Sequence, residues 1–396
     1  MVKKPINPFI QMIILFWVLL FTVCYCYFGY PFLIFLIARF KPNPVHKESI
    51  EPTISVVLSV YNEEDVILKK INNLLELGYP PEKMEIFIGS DGSTDHTHHI
   101  VNQFSDSRIK LFINSKRQGK MATLNDLVPK ANNEIVVFTD ARQIFEKDAI
   151  KKLVKNFADP KIGCVSGELV FTPKEGGTAK GVNLYWKYEK FIRLQESRLH
   201  SMLGATGAIY AIRKKLFVPG PSDIILDDMY IPFKIIQQGY RAIFDNISYA
   251  YDQVADNPKE EYRRKTRTLY GNYQIFFIFL GMFNPFQSPI AWQLFSHKFL
   301  RVIIPFFLIT LLVINYTLRY QPIFNVLWTL QTIFYTMALI GHLIRDSKKG
   351  GLKIFSKICY IPYIFCLLNF SALVGFWRFI TTKQGATWQK ARDPHA

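Results

Sequence analysis

Four apolar runs in this chain stop at acidic residues. Ile54–Val60 (ISVVLSV) leads into Tyr61-Asn62-Glu63, a second run reaches Ser90-Asp91-Gly92-Ser93, and residues 134–140 (EIVVFTD) end on Thr139-Asp140. A strand buried on both faces that runs into a carboxylate is costly unless the acid meets a ligand, a cation or a hydrogen-bond donor. Gly92 lets the backbone turn so that Asp91 approaches such a ligand. The fourth run, Ile224-Ile225-Leu226, reaches the paired acids Asp227-Asp228 at the head of a helical pattern over 229–238. One carboxylate, close to the positive end of the helix dipole, stays ionised there. Repulsion raises the pKa of its neighbour, which equips the pair to supply a general base.

Cations are spaced to serve related chemistry. Gln118-Gly119-Lys120 opens a helix, and a helix N-terminus with a lysine cradles phosphate, although no GxxxxGK[ST] loop is present. Arg263, Arg264, Lys265 and Arg267 precede Gly271-Asn272 and Gln274. Such a cluster clamps a diphosphate or rests on lipid headgroups, and spacing does not choose between them. Each element alone also has a plain structural use: Asp91, Asp95 and the Asp227-Asp228 pair as helix caps, Lys120 as a solvated surface charge. Three acid-tipped strand ends on one sheet edge, where open α/β sheets bind ligands, favour a site.

The elements that must carry these residues alternate between strand and helix from about residue 50 to 280. Helical patterns cover residues up to Leu75 and around 94–104 and 121–128, with strands at 85–89, Ile109–Asn114 and 134–140 between and after them. That alternation predicts an α/β domain with a mostly parallel sheet and helices on both faces. Residues 9–38 are almost continuously apolar. At about 30 residues, roughly 45 Å of helix, they exceed the ~30 Å of bilayer hydrocarbon, and no small-residue cleavage site follows, so an uncleaved span is expected, either kinked at Gly29-Tyr30-Pro31 or continuing at its end beyond the lipid. Arg39, Lys41 and Lys47 come next and place the α/β domain in the cytosol. Beyond Gly281, residues 284–298 read as interfacial, 299–317 and 324–344 as spans, and 354–380 as a last apolar stretch. Arg345, Lys348, Lys349 and Lys353 mark a cytosolic loop, whereas Lys383, Lys390 and Arg392 of the tail would lie outside if the last stretch spans. The expected organisation is a span and linker (1–48), the α/β domain (49–283), an interfacial helix (284–298), two or three membrane helices (299–381) and a tail (382–396).

Composition agrees with such a mixture, being 49% hydrophobic and 15% aromatic yet 20% charged. A net charge of +17 suits a protein that lies against anionic lipid and handles a phosphorylated substrate. No zinc-finger spacing, aromatic RNA-binding signature or basic helix-turn-helix is present, so no nucleic-acid partner is expected. The five cysteines form no CxxC pair and read as buried small side chains in a reducing compartment.

The order of Val60-Tyr61-Asn62-Glu63-Glu64, Ser90-Asp91-Gly92-Ser93, Gly119-Lys120, Asp140, Asp227-Asp228 and Arg264-x-x-Arg267 resembles that of the membrane family 2 glycosyltransferases. Closest in pattern are the cellulose, chitin, hyaluronan and poly-N-acetylglucosamine synthases, over about residues 50–300. The resemblance implies a GT-A domain at the cell membrane, a nucleotide-diphospho-sugar donor (usually UDP-linked), a divalent cation (Mg2+ or Mn2+), inversion at the anomeric carbon and a growing saccharide as acceptor. By position it implies that Tyr61, Glu63, Asp91 and Lys120 hold the nucleotide and that Asp140 opens the metal motif. Asp228, beside Asp227, would be the base, Arg264 and Arg267 would lie over the diphosphate, with Gln274 extending that motif, and Gly204, Thr206 and Gly207 would form the acceptor-side loop. Two positions depart from the family pattern: Arg142 replaces the second metal-binding acid, and Thr268 replaces a tryptophan that would stack on a sugar. Arg142 is therefore an expected phosphate partner. Transfer of a single sugar to a lipid-linked acceptor is the rival enzymatic reading. A nucleotide-sensing transporter or scaffold is the rival of another class, opposed by the lack of acids at mid-depth in the spans.

Overall fold

The structure, a computed structural model, describes residues 7–172, 179–253, 258–344, 350–382 and 385. Eight strands form one mixed sheet: β1 Ile54–Val60, β2 Met84–Asp91, β3 Ile109–Asn114, β4 Ile135–Phe138, β5 Ile144–Phe145, β6 Ile162–Thr172, β7 Tyr210–Arg213 and β8 Arg241–Gln253. Their order is β3-β2-β1-β4-β7-β6-β8-β5. The first four are mutually parallel, β7 runs antiparallel to both β4 and β6, β8 returns parallel to β6, and β5 closes the edge antiparallel to β8.

Every residue of β1 is buried because the strand is apolar on both faces. Val57 faces one layer with Phe87, Val136 and Phe138, whereas Ile54, Val56, Leu58 and Val60 face the other with Ile86, Ile88 and Val137. Helix Lys120–Lys130 covers the first layer through Met121, Leu124, Leu127 and Val128. Helix Glu64–Leu75 covers the second through Ile67, Ile71 and Leu74, spaced to lie on one helical face. Register then decides where the chemistry emerges. Val60 pairs with Ser90, Asp91 with Asn114 and Val57 with Phe138, so Tyr61 to Glu63, Asp91 and Asp140 leave the sheet at the same edge. The helix expected over 94–104 shortens to Thr97–Asn102, and Asp95 Oδ1 accepts the Thr97 N–H at 3.1 Å, the capping use open to it in the sequence.

Among the described residues four helices are long and apolar enough to cross a membrane: Pro8–Phe40, Ala291–Leu318, Pro322–Ile344 and Ile358–Thr381. The first passes Gly29-Tyr30-Pro31 without a break, since a π turn at Tyr25–Gly29 absorbs the irregularity. A second π turn, Leu294–Phe299, joins Ala291–Gln293 to Leu300–Leu318. The chain is therefore helical from Ala291, within the 284–298 segment expected to be interfacial, and this helix continues into Leu300–Leu318. The last apolar stretch belongs to one helix, Gly350–Thr381, whose Cys359 carbonyl lies where only a glycine, Gly341, lets the neighbouring helix approach. Arg345, Lys348 and Lys349, and Lys383, Lys390 and Arg392 of the tail, lie outside the described residues, as does the side chain of Lys353.

Where the apolar helices meet the sheet domain, helix Ala179–Leu199 contributes Glu189 and Glu196 to a buried polar network. His297 Nδ1 lies 2.7 Å from Glu196 Oε1 and its Nε2 lies 3.2 Å from Glu189 Oε2, while Arg301 pairs with Glu189. The Tyr30 hydroxyl donates to Glu196 at 2.7 Å. Burial opposes the charge of Glu189, yet Arg301 and His297 outweigh it and hold its pKa well below the usual carboxylate range.

Candidate active site

Gly119, at φ +100°, turns the chain into helix Lys120–Lys130, and Asp91 braces that turn. Asp91 Oδ1 accepts the Gln118 N–H at 2.7 Å and its Oδ2 the Gly119 N–H at 2.8 Å. The residue is 1% exposed. These bonds shape the loop that delivers Lys120, a use beyond the helix cap open to Asp91 in the sequence. Gly92, at φ +71°, cannot be replaced cheaply, because a Cβ there would lie 2.8 Å from the Arg117 backbone nitrogen.

Lys120 stands between two acids contributed by distant segments. Its Nζ is 2.8 Å from Asp140 Oδ1 and 3.1 Å from Asp227 Oδ2. Burial works against this ammonium, but Asp140 and Asp227 more than compensate and raise its pKa above that of a free lysine. Asp227 and Asp228 open helix Asp227–Gln237. The Gly207 N–H donates to Asp228 Oδ2 at 3.2 Å, and the Ala205 N–H donates to the Asp228 carbonyl at 2.7 Å. Gly204, at φ +114°, gives the 204–207 loop its path around this acid. Removal from water, reinforced by the Asp227 carboxylate, raises the Asp228 pKa to about 6. Burial lowers the Arg267 pKa while the charges of Asp227, Asp228 and Asp140 oppose that shift, so this guanidinium faces the same acids.

The other expected residues form a second ring. Arg142 does not stand alone as a phosphate partner: its Nε pairs with Glu63 Oε2 at 3.4 Å, joining two residues expected to contact nucleotide separately. Tyr61 lies beneath the Arg117 guanidinium, 3.7 Å from the ring centre. Thr206 donates its N–H to Ser166 Oγ at 3.0 Å. Gln274 braces the approach to Asp227, accepting the Ile225 N–H at 3.1 Å and donating to the Asp223 carbonyl at 2.9 Å. The Arg264 side chain lies outside the described residues.

Three contributors carried no legible signal. Arg193 Nη2 donates to the Gly204 carbonyl at 2.8 Å from a helix whose sequence is ordinary amphipathic pattern. Arg117 was visible only as a neighbour of the Gln118-Gly119-Lys120 run. Lys70 lies on the covering helix Glu64–Leu75, fully buried, and burial lowers its pKa to about 7 against the pull of Asp140.

Gly207 leaves room that the site uses. Its φ is not in the left-handed region, so alanine is allowed there, yet a Cβ would lie 3.3 Å from Asp140 Oδ2 and 3.4 Å from Lys120 Nζ. Gly207→Ala is expected to lower kcat/KM about tenfold (~1.4 kcal/mol) while the melting temperature stays within a few degrees. Steady-state kinetics beside a thermal melt checks this, and an unchanged kcat/KM would mean that the space is unused.

Among the described residues no group of three or more His, Cys, Asp or Glu is arranged to hold a metal. The donor set nevertheless suits a cation held mostly by a ligand: the Asp140 side chain is 41% exposed, with only Oδ1 occupied by Lys120. Mg2+-type ions are commonly bound by one or two carboxylates plus substrate phosphates.

Comparison with known proteins agrees with this geometry. Residues 55–218 match the family described as Glycosyl transferase family 2. The chain is 27% identical over 231 residues to a poly-beta-1,6-N-acetyl-D-glucosamine synthase of Staphylococcus aureus (strain MSSA476), covering 56% of this chain and 55% of that protein. It is 27% identical over 254 residues to Probable glycosyltransferase YdaM of Bacillus subtilis (strain 168), covering 59% and 58%. The chain thus spans about half the length of the curated relatives it matches. The solved mannosyltransferase PcManGT from Pyrobaculum calidifontis, in complex with GDP-Man and Mn2+, gives a TM-score of 0.68 at 21% identity over 93% of this chain and 99% of that one, a likeness of fold. With a mostly parallel mixed sheet whose acid-tipped edge gathers Asp140, Asp227 and Asp228 around Lys120, and with four apolar helices attached, this chain carries a glycosyl transferase family 2 domain of the GT-A fold.

Proposed function

We propose that the protein is an integral-membrane, inverting glycosyltransferase that moves a sugar from a nucleotide-diphospho-sugar, UDP-linked in the first instance, to a growing saccharide in surface polysaccharide synthesis. The observation that carries this reading is the gathering of Asp228, held by the Gly207 N–H, with Asp227 and Asp140, both paired to Lys120, an environment that raises the Asp228 pKa to about 6 by burial and the Asp227 charge. The hydrogen bond from Gly207 occupies one carboxylate oxygen and leaves the other for a proton. In the reaction, Asp228 takes the proton of the acceptor hydroxyl, and that oxygen attacks the anomeric carbon from the face opposite the diphosphate. A new C–O bond forms as the bond to the diphosphate breaks with its electron pair, which inverts the centre. Lys120 and Arg267 are the protein cations in place to balance the charge on the departing diphosphate. A divalent cation, when bound, would be held by Asp140 and would supply further charge neutralisation there.

The four apolar helices support membrane insertion, and Arg39 at the end of the first, with Lys41 after it, supports a cytosolic domain. Thr268, exposed where the family pattern has tryptophan, favours as second reading the transfer of one sugar to a lipid-linked acceptor. The test is release of nucleoside diphosphate by the full chain in lipid, offered a panel of UDP- and GDP-sugars with Mn2+ or with chelator. Turnover of one donor class, with product masses rising in sugar steps, is expected. A single added sugar selects the second reading, and no release from any donor overturns both.

A further inference from the structure

We propose that Lys70 is a positioning residue: from inside the domain it fixes the turn that presents Asp140, and through Thr139 it locks that turn to the loop that holds Asp228. The geometry stands by itself, while the consequence for turnover rests on the glycosyl-transfer reading. Lys70 is 0% exposed on helix Glu64–Leu75, among Ile67, Ile71 and Leu74. A lysine at such a position ordinarily extends its chain until the ammonium reaches water. Here the ammonium points inward. It donates to Thr139 Oγ1 at 2.8 Å and to the Gln143 carbonyl at 2.7 Å, so its two acceptors bracket Asp140, Ala141 and Arg142. The Phe145 ring, 4.1 Å from Nζ, closes the remaining side.

The contact continues beyond the turn. Because Thr139 Oγ1 accepts from Lys70, its own proton is left for the Ala208 carbonyl, 3.0 Å away, with the Asp140 carbonyl the longer alternative at 3.2 Å. Ala208 follows Gly207, whose N–H donates to Asp228. One buried side chain thus ties the donor-side acid and the base-side loop into a single block just beyond the last paired residues of β4 and β7, Phe138 and Tyr210, where the sheet's own ladder stops. Packing alone would be met as well by a methionine, and burying a charge among neutral partners is costly. The cost is consistent with fixing two loops at once.

The test uses the full chain in lipid. Lys70→Met keeps the volume and removes the donor. The melting temperature is expected to stay level or rise, while amide hydrogen exchange over 139–143 and 205–208 quickens at least tenfold. Donor KM and the dissociation constant for UDP or GDP with Mn2+ are expected to rise about tenfold, and kcat to fall. Thr139→Val removes the hydroxyl that both accepts from Lys70 and donates to Ala208, while Gln143 still holds Lys70, so it should quicken exchange over 205–208 as much as Lys70→Met does and lower kcat, with a smaller loss of nucleotide affinity. Unchanged exchange over both segments in Lys70→Met overturns the proposal. Should that variant fail to fold, Thr139→Val decides, and unchanged exchange over 205–208 with unchanged kcat overturns the link. A wild-type protein that turns over no donor sinks the glycosyl-transfer reading, and the exchange data still judge Lys70.

Discussion

Asp228→Asn is expected to abolish sugar transfer, lowering kcat by about a thousandfold or more (~4 kcal/mol), with nucleotide affinity within about twofold of wild type. The amide keeps the shape of the carboxylate and still accepts the Gly207 N–H, so the loop around it stays in place. What it loses is the capacity to take a proton. A pH profile makes the same point without a change of fold. The base works only when ionised, and removal from water with Asp227 alongside puts its pKa at about 6. In the wild type kcat/KM should therefore fall tenfold per unit as pH drops below about 6, well above the range in which an ordinary aspartate titrates. The residual rate of Asp228→Asn should be flat across that window. Stability carries the opposite sign. A carboxyl whose folded pKa exceeds its unfolded value favours the fold at low pH, and that contribution is lost as pH rises through about 6. Asp228→Asn should then melt higher than wild type at pH 8, the usual trade between a strained site and stability. Full activity in Asp228→Asn would remove the acid from the mechanism.

Lys120→Met carries the second large effect. It withdraws the ammonium that sits 2.8 Å from Asp140 and 3.1 Å from Asp227, leaving three nearby acids with less positive charge among them. Removing one partner from a buried charge pair costs about 3–5 kcal/mol, so the melting temperature should drop by many degrees and activity by a hundredfold or more. Because Lys120 lowers the Asp228 pKa, the acid limb of any residual activity should also move to higher pH. Added Mn2+ should recover more stability in the variant than in wild type, since the ion then supplies charge that the lysine no longer does. A wild-type melting temperature in Lys120→Met would show that the acids do not depend on it.

The sheet was legible because its strands are apolar on both faces. Ile54–Val60 and Ile109–Asn114 coincide with their sequence patterns, and register alone carries their tips to one edge. The paired acids at 227–228 were legible because an apolar run delivers them to a helix start. What could not be read were contacts between segments far apart in the chain. Lys70 lies on the Ile67–Ile71–Leu74 face of its helix, where a lysine ordinarily reaches round to water, and only the packed sheet shows that Thr139 and Gln143 receive it inside. Asp91 was visible as a turn acid, but its bonding to Gln118 and Gly119 depends on how the two loops approach. Arg142 was visible as a replaced acid, and its pairing with Glu63 was not. The helix joins across Ser296, His297 and Lys298 for a similar reason: the π turn at Leu294–Phe299 carries these polar residues, which interrupt the apolar pattern, without ending the helix.

The acids Glu189 and Glu196 belong to the sheet domain, while the groups that satisfy them, His297, Arg301 and Tyr30, are borne by the apolar helices. A soluble fragment cut free of those helices would carry two orphaned carboxylates on a bare apolar seat. It would aggregate rather than report on catalysis. The same seam has a mechanical side: a cleft bolted to the apolar helices by the Arg301–Glu189 pair and the Tyr30 and His297 contacts keeps one height and tilt relative to them.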